Sequence, residues 1–241
     1  MKIITVANQR GGTGKSTTAA ALAQAAKFRG LKCLAVDLDP QGNLSFFLGA
    51  DTNRAGAFDL LNGTPAADVI QHPGIDTVSA NWSLQTISSG AGSARRLRAA
   101  LEPIKNKYSV IIIDTPPTAG ELQNNALMAA TDLIVPVQAD VTGTKSLFQI
   151  TDTAKTIQRA NPKLQLTGYI LTRSDKRSTL ARQMADLIEH RAREMGIPFL
   201  MAIREAVAIR EAQALQRSIF EYAPKSKPAQ DYLDLFDRII I

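Results

Sequence analysis

Ile3-Ile4-Thr5-Val6-Ala7-Asn8-Gln9-Arg10-Gly11-Gly12-Thr13-Gly14-Lys15-Ser16-Thr17 is the stretch whose reading decides the fold. The apolar residues Ile3–Ala7 predict a strand, and the Ala-rich run from Ser16 to Arg29 predicts a helix. Between them, glycines free consecutive backbone N–H groups to curl into an anion-binding nest, and the helix start adds unsatisfied donors and a positive dipole end. Lys15 supplies a point charge for the β/γ-phosphates of a nucleotide, and the Ser16 hydroxyl is placed to ligate Mg²⁺. Arg10, Gly11, Gly12, Thr13, Gly14, Lys15, Ser16 and Thr17 are therefore the candidate nucleotide-binding residues.

Outward from this loop, short β-branched runs alternate with helix-length stretches. Cys33–Val36, Val110–Ile113, Leu133–Val137 and Leu166–Leu171 are apolar on both sides, as strands of a buried parallel sheet must be. Helices are expected at about 94–105, 121–130, 145–159 and 179–195. Strand then helix, repeated, implies an α/β fold: a mostly parallel twisted sheet with helices on both faces. Residues 50–93, rich in Gly, Ala, Ser, Thr and Asn, break the rhythm. They read as an irregular insertion in a single domain spanning 1–241, with short strands expected at Thr77–Ser79 and Leu84–Ile87. The last residues, from Lys227, predict an amphipathic helix with Tyr232, Leu233, Leu235, Phe236 and Ile239 on one side.

Composition narrows the function classes. No apolar run reaches membrane-spanning length, and the single cysteine, Cys33, excludes an internal disulfide and an iron–sulfur carrier. A cytoplasmic, reducing compartment is expected. The 28 Lys and Arg against 22 Asp and Glu leave a net charge of +6, which permits attraction to nucleic acid and does not require it.

Two further strand ends carry carboxylates. Cys33–Val36 leads into Asp37-Leu38-Asp39-Pro40-Gln41-Gly42-Asn43, and Val110–Ile113 into Asp114-Thr115-Pro116-Pro117. The carboxyl ends of parallel strands face the ligand crevice. There Asp39 is the candidate to orient an attacking water, while Asp37 and Asp114 join Ser16 as candidate members of the Mg²⁺ shell. As ordinary residues, the same aspartates would be turn or helix caps.

The usual phosphate-loop pattern has its first glycine where Gln9 stands; here the loop reads basic-Gly-Gly-x-Gly-Lys-Ser. This resembles the deviant Walker A loop of the ParA/MinD superfamily. Asp-Leu-Asp-Pro-Gln-Gly-Asn, Asp-Thr-Pro-Pro, the run Leu122–Asp140 and Pro224–Leu233 are similar to segments of its ParA/Soj-type partition ATPases, so the resemblance covers nearly the whole chain. It implies ATP and Mg²⁺ as cofactors and a homodimer closed by ATP. It further implies slow hydrolysis stimulated by a ParB-like partner, with Lys15, Asp39 and Arg10 serving catalysis. Arg10 stands where that family carries a lysine that reaches the other subunit's nucleotide; arginine keeps the charge and adds a planar fork. Thr172-Arg173-Ser174-Asp175 faintly echoes a guanine reader, but the other motifs favour ATP.

Basic residues gather at Arg173, Lys176, Arg177 and Arg182. The segment Asp175–Leu180 resembles a DNA-contacting ParA segment, making Arg177 the first candidate for sequence-independent contact with double-stranded DNA; Arg204 and Arg210 are further candidates. Two alternatives stay open. A MinD-like membrane switch needs a basic amphipathic tail, whereas this one carries Asp231, Asp234 and Asp237, so no stable membrane association is expected. A metabolic ATP-dependent ligase of the same fold needs a second polar pocket beside the γ-phosphate.

Overall fold

The computed structural model describes residues 1–174 and 179–240. The first half of the chain runs β1 (Lys2–Val6), α1 (Lys15–Phe28), β2 (Cys33–Asp37), α2 (Asn43–Phe47), α3 (Ala57–Leu61), α4 (Ala66–Val69), β3 (Ile70–Gln71), β4 (Asp76–Val78), α5 (Arg96–Leu101) and β5 (Val110–Asp114). The second half runs α6 (Glu121–Ala129), β6 (Asp132–Gln138), α7 (Gly143–Gln158), β7 (Gln165–Ser174), α8 (Thr179–Glu194), β8 (Phe199–Arg204), α9 (Val207–Ala214), α10 (Ile219–Tyr222) and α11 (Lys227–Ile240).

The strands form one sheet in the order β3-β4-β2-β5-β1-β6-β7-β8. Every pairing is parallel except β3 with β4. Side chains alternate across it with period two. Ile4, Val6, Cys33, Ala35, Val110 and Ile112 face the core under α1 and α11, whereas Ile3, Leu34, Val36, Ile111 and Ile113 face the opposite core. Both faces are covered, which is why these strands read as unbroken apolar runs. Helix α1 is buried over most of its length through Ala19, Ala20, Ala21, Ala23, Ala25 and Ala26, whose small side chains let it lie close to the sheet.

All five strands expected in the buried parallel sheet are present. β8 was not expected: it is exposed at both ends, Phe199 and Arg204, and only Leu200 and Ile203 are buried, as on a sheet edge rather than in a strand covered on both faces. Three other expectations need correction. Leu84–Ile87 is no strand; Trp82–Thr86 forms a 3-10 helix in which Leu84 plugs the core. The expected helix over 94–105 is only α5, with 3-10 turns at Ser93–Arg95 and Lys105–Lys107, because Pro103 disfavours helical backbone before it and lacks a donor. The strand expected at Thr77–Ser79 is β4, one residue earlier, and it adds to the edge of the main sheet beside β2.

Helix α11 takes the tail back onto the body. Tyr232, Leu235, Phe236 and Ile239 are buried against the core beneath α1, as the amphipathic pattern requires. Each such side chain contributes about 1.5–3 kcal/mol on full burial. The docking is also polar: the buried Asp231 accepts hydrogen bonds from the Arg204 backbone N–H and guanidinium, and Lys2 Nζ donates to the Ile239 carbonyl.

Candidate nucleotide site

Three strand ends converge where β1 lies between β5 and β6: the loop after β1, Asp37–Asp39 after β2, and Asp114 at the end of β5. Gly12 and Gly14 have φ of 75° and 86°, in the left-handed region that a side chain disfavours. Gly14 is the N-cap of α1 and brings no side-chain cap, so the N–H groups of the first helical turn are left for a ligand. Lys15 is 6% exposed and its Nζ donates to the Arg10 carbonyl at 2.9 Å, curling the side chain back over the loop. Burial lowers its pKa, while Asp114 and Asp39 act in the opposite sense. Those two couplings place Lys15 in the field of both carboxylates.

The aspartates differ in what holds them. Asp37 uses both oxygens: Oδ1 accepts from Asp39 N–H at 3.1 Å, and Oδ2 from the Ser45 N–H and hydroxyl at 2.8 and 2.7 Å. It therefore staples the loop after β2 to the start of α2. Burial pushes its pKa up to about 6 despite these bonds. Asp39 accepts one backbone bond, from Gln41 N–H at 3.0 Å, and burial raises its pKa. In Asp114, Oδ1 accepts from Thr115 N–H, but Oδ2 is buried with no hydrogen-bond partner. Burial, and then the neighbouring Asp37, hold the Asp114 pKa well above the usual carboxylate range.

An orphaned buried carboxylate oxygen beside Lys15 fits a hydrated cation, which Asp114 and Ser16 could hold, whereas both oxygens of Asp37 already accept hydrogen bonds. Among the described residues no group of three or more His, Cys, Asp or Glu could hold a metal ion alone.

Several contacts that brace the loop were not foreseen from the sequence. The Thr172 hydroxyl, from the end of β7, donates to the Thr13 carbonyl at 2.8 Å, and its methyl lies 3.5 Å from where a Gly14 Cβ would stand. Gln138 Nε2 donates to the Gly12 carbonyl at 2.9 Å. Gln9 Nε2 donates to Gln123 Oε1 and Thr153 Oγ1, tying the loop to α6 and α7. Only their position at strand ends could have signalled them.

Beside the loop a cleft runs from Gly14, Thr17 and Thr172 past Glu205 and Ala206 to Tyr232. It lies where a nucleoside attached to loop-bound phosphates would extend. Arg210 lines it. Arg204 lines it too, with its fork held by Asp231. Arg177 lies outside the described residues. Arg10 reaches the rim, where Nη1 pairs with Asp140 Oδ1 at 2.6 Å.

The model of the AAA_31 family, described as an AAA domain, matches residues 1–166. The sporulation initiation inhibitor protein Soj of Bacillus subtilis (strain 168) is 33% identical, over 97% of this chain and 96% of its own length. The chain is a ParA/Soj-type ATPase of the AAA_31 family. The chromosome-partitioning ATPase Soj of Thermus thermophilus is 35% identical over 98% of this chain and 94% of its own. A structure described as cobyrinic acid a,c-diamide synthase from Mycobacterium smegmatis, with bound ATP analog and magnesium, is 30% identical. It covers 100% of this chain and 94% of its own, with a TM-score of 0.85. ATP and Mg²⁺ are the cofactors that go with this family and this site.

Proposed function

We propose that this ATPase is a partition switch: ATP closes a homodimer that binds double-stranded DNA without sequence preference, and hydrolysis stimulated by a ParB-like partner releases it. Arg10, Gly11, Gly12, Thr13, Gly14, Lys15, Ser16 and Thr17 hold the nucleotide. Asp114 and Ser16 hold Mg²⁺, Asp39 orients the attacking water, and the protein is cytoplasmic and nucleoid-associated in the ATP state. The observation that carries the reading is the contrast between the loop's two cations. Lys15 is curled back over its own loop, whereas the side chain of Arg10 is 30% exposed at the rim. A cation at the rim would suit a phosphate on a second subunit, and Lys15 one on its own; this contrast supports the reading.

With ATP bound, the loop's N–H groups and Lys15 neutralise the β/γ-phosphates, and Mg²⁺ supplies further charge neutralisation when bound. Asp39 takes the proton of the water that attacks the γ-phosphorus, and Lys15 balances the charge leaving with ADP.

The name of the Mycobacterium smegmatis structure raises a metabolic reading. The groove beside the site runs between Pro40, Pro116, Leu84 and Ile87, and among the described residues Glu121 is the only charged one lining it. A site that activates a polycarboxylate would present cations there, so the groove does not favour that reading. Nor does the tail favour a membrane anchor, because its apolar face is already buried in the body.

Mobility shifts with random-sequence duplex DNA test the proposal, run across salt with ATP, ADP and no nucleotide. Binding should require ATP and Mg²⁺ and fall steeply with salt, by roughly 0.9 in log–log slope per phosphate neutralised. Binding that ignores nucleotide, or none at low salt, would refute it.

A further inference from the structure

The reach of Arg10 is set by what surrounds it. One oxygen, Asp140 Oδ1, accepts from Arg10 Nη1 at 2.6 Å, and from the N–H and hydroxyl of Thr142 at 3.0 Å each. Asp140 is thus not a loose surface carboxylate. It is pinned in the turn between β6 and α7, whose next residue, Gly143, cannot be widened. A Cβ there would stand 2.3 Å from the Gln138 carbonyl and 2.8 Å from Ile188. The same turn holds the phosphate loop a second time, through Gln138 and the Gly12 carbonyl. A guanidinium carries five N–H donors in a rigid plane, and the pair occupies one nitrogen, leaving Nε and Nη2 to bond elsewhere. A lysine ammonium is a single point charge on a flexible stem and would face Asp140 with its whole charge.

We propose that Asp140 is the positioning residue for Arg10: it anchors one corner of the guanidinium to the β6–α7 turn and aims the remaining donors out of the subunit, at a phosphate of a second copy's nucleotide. This rests on the reading of the chain as an ATP-closed dimer. Anchoring removes side-chain freedom before the subunits meet, so less is lost when the contact forms. Val141, the neighbouring residue, is 80% exposed, an apolar tip on the same rim that a second copy would cover.

Asp140→Asn keeps an acceptor for Thr142 and removes the charge that holds Arg10, so the turn should survive. In the nucleotide-free monomer, phenylglyoxal should modify Arg10 about two- to five-fold faster in the variant, the range set by a partly exposed ion pair. Exposed Arg54 serves as the internal standard. ATP affinity of the monomer should not change, whereas ATP-dependent dimerisation, read by light scattering, should weaken by a similar factor, and Asp140→Glu should recover part of it. Unchanged Arg10 reactivity would overturn the anchoring. Faster or tighter dimerisation in Asp140→Asn would also overturn it, since Asp140 would then be restraining Arg10. If the wild type fails to dimerise with ATP, the partition-switch reading falls and the aiming role falls with it; the reactivity of Arg10 still reports separately whether Asp140 anchors it.

Discussion

Asp37 and Asp114 are register partners on β2 and β5, two buried carboxylates side by side at the carboxyl ends of parallel strands. Like charges directly across a sheet destabilise it, and burial adds to the cost of ionising them. The pair persists because its members are used differently: Asp37 is saturated by Ser45 and Asp39, and Asp114 keeps a free oxygen.

This pair sets a pH dependence. Burial, and then the charge of Asp37, raise the Asp114 pKa, and Asp37 itself is pushed up to about 6. An unfolded aspartate ionises near 3.9. The folded state holds these protons longer, so the stability they contribute is complete below about pH 4 and lost as pH rises through the raised folded values. Asp114→Asn removes one such group. Without nucleotide it should melt a few degrees higher than wild type, with the gap widening from about pH 5 to pH 8. It should also lose Mg²⁺-dependent hydrolysis. Melting curves at several pH values check this, and a gap independent of pH would contradict it.

Lys15→Ala should weaken ATP binding about 10- to 100-fold, the worth of a lost charge-assisted contact. Titration with a fluorescent ATP analogue measures it. Unchanged affinity together with unchanged hydrolysis would remove the loop from the mechanism.

Asp39→Ala should bind ATP and accumulate as dimer while hydrolysing it about 10²–10⁴-fold more slowly, the usual cost of losing a positioned base. Sizing chromatography with ATP and Mg²⁺, beside a phosphate-release assay, reads both effects. Hydrolysis at the wild-type rate would exclude Asp39 as the base.

Arg204→Ala separates a structural from a DNA-binding role. Its guanidinium lies on Asp231, a buried carboxylate that would keep only a backbone N–H. The loss should cost about 1–3 kcal/mol of stability. Thermal melting should drop accordingly, while DNA affinity of the folded ATP state stays near wild type. A selective loss of DNA binding at unchanged melting temperature would assign Arg204 to the DNA surface instead.

Local sequence determined the fold class and singled out the candidate reacting groups. Ile3–Ala7, Val110–Ile113 and the other doubly apolar runs could only be strands covered on both faces, and the glycines before Lys15 left few options other than an anion-binding turn. Tertiary structure decided what each charged group has left to offer. Asp37 and Asp114 look alike at their strand ends, yet Asp39, and Ser45 eight residues on, occupy both oxygens of one while a buried oxygen of the other keeps no hydrogen-bond partner. Arg204 reads as a free cation until α11 brings Asp231 to it across 27 residues, and Arg10 as a free arm until Asp140 meets it across 130. Hydrophobic period is written into neighbouring residues, so it can be read from them. The partner of a charge is set by where distant strand ends and helices meet, and it exists only once the sheet has assembled.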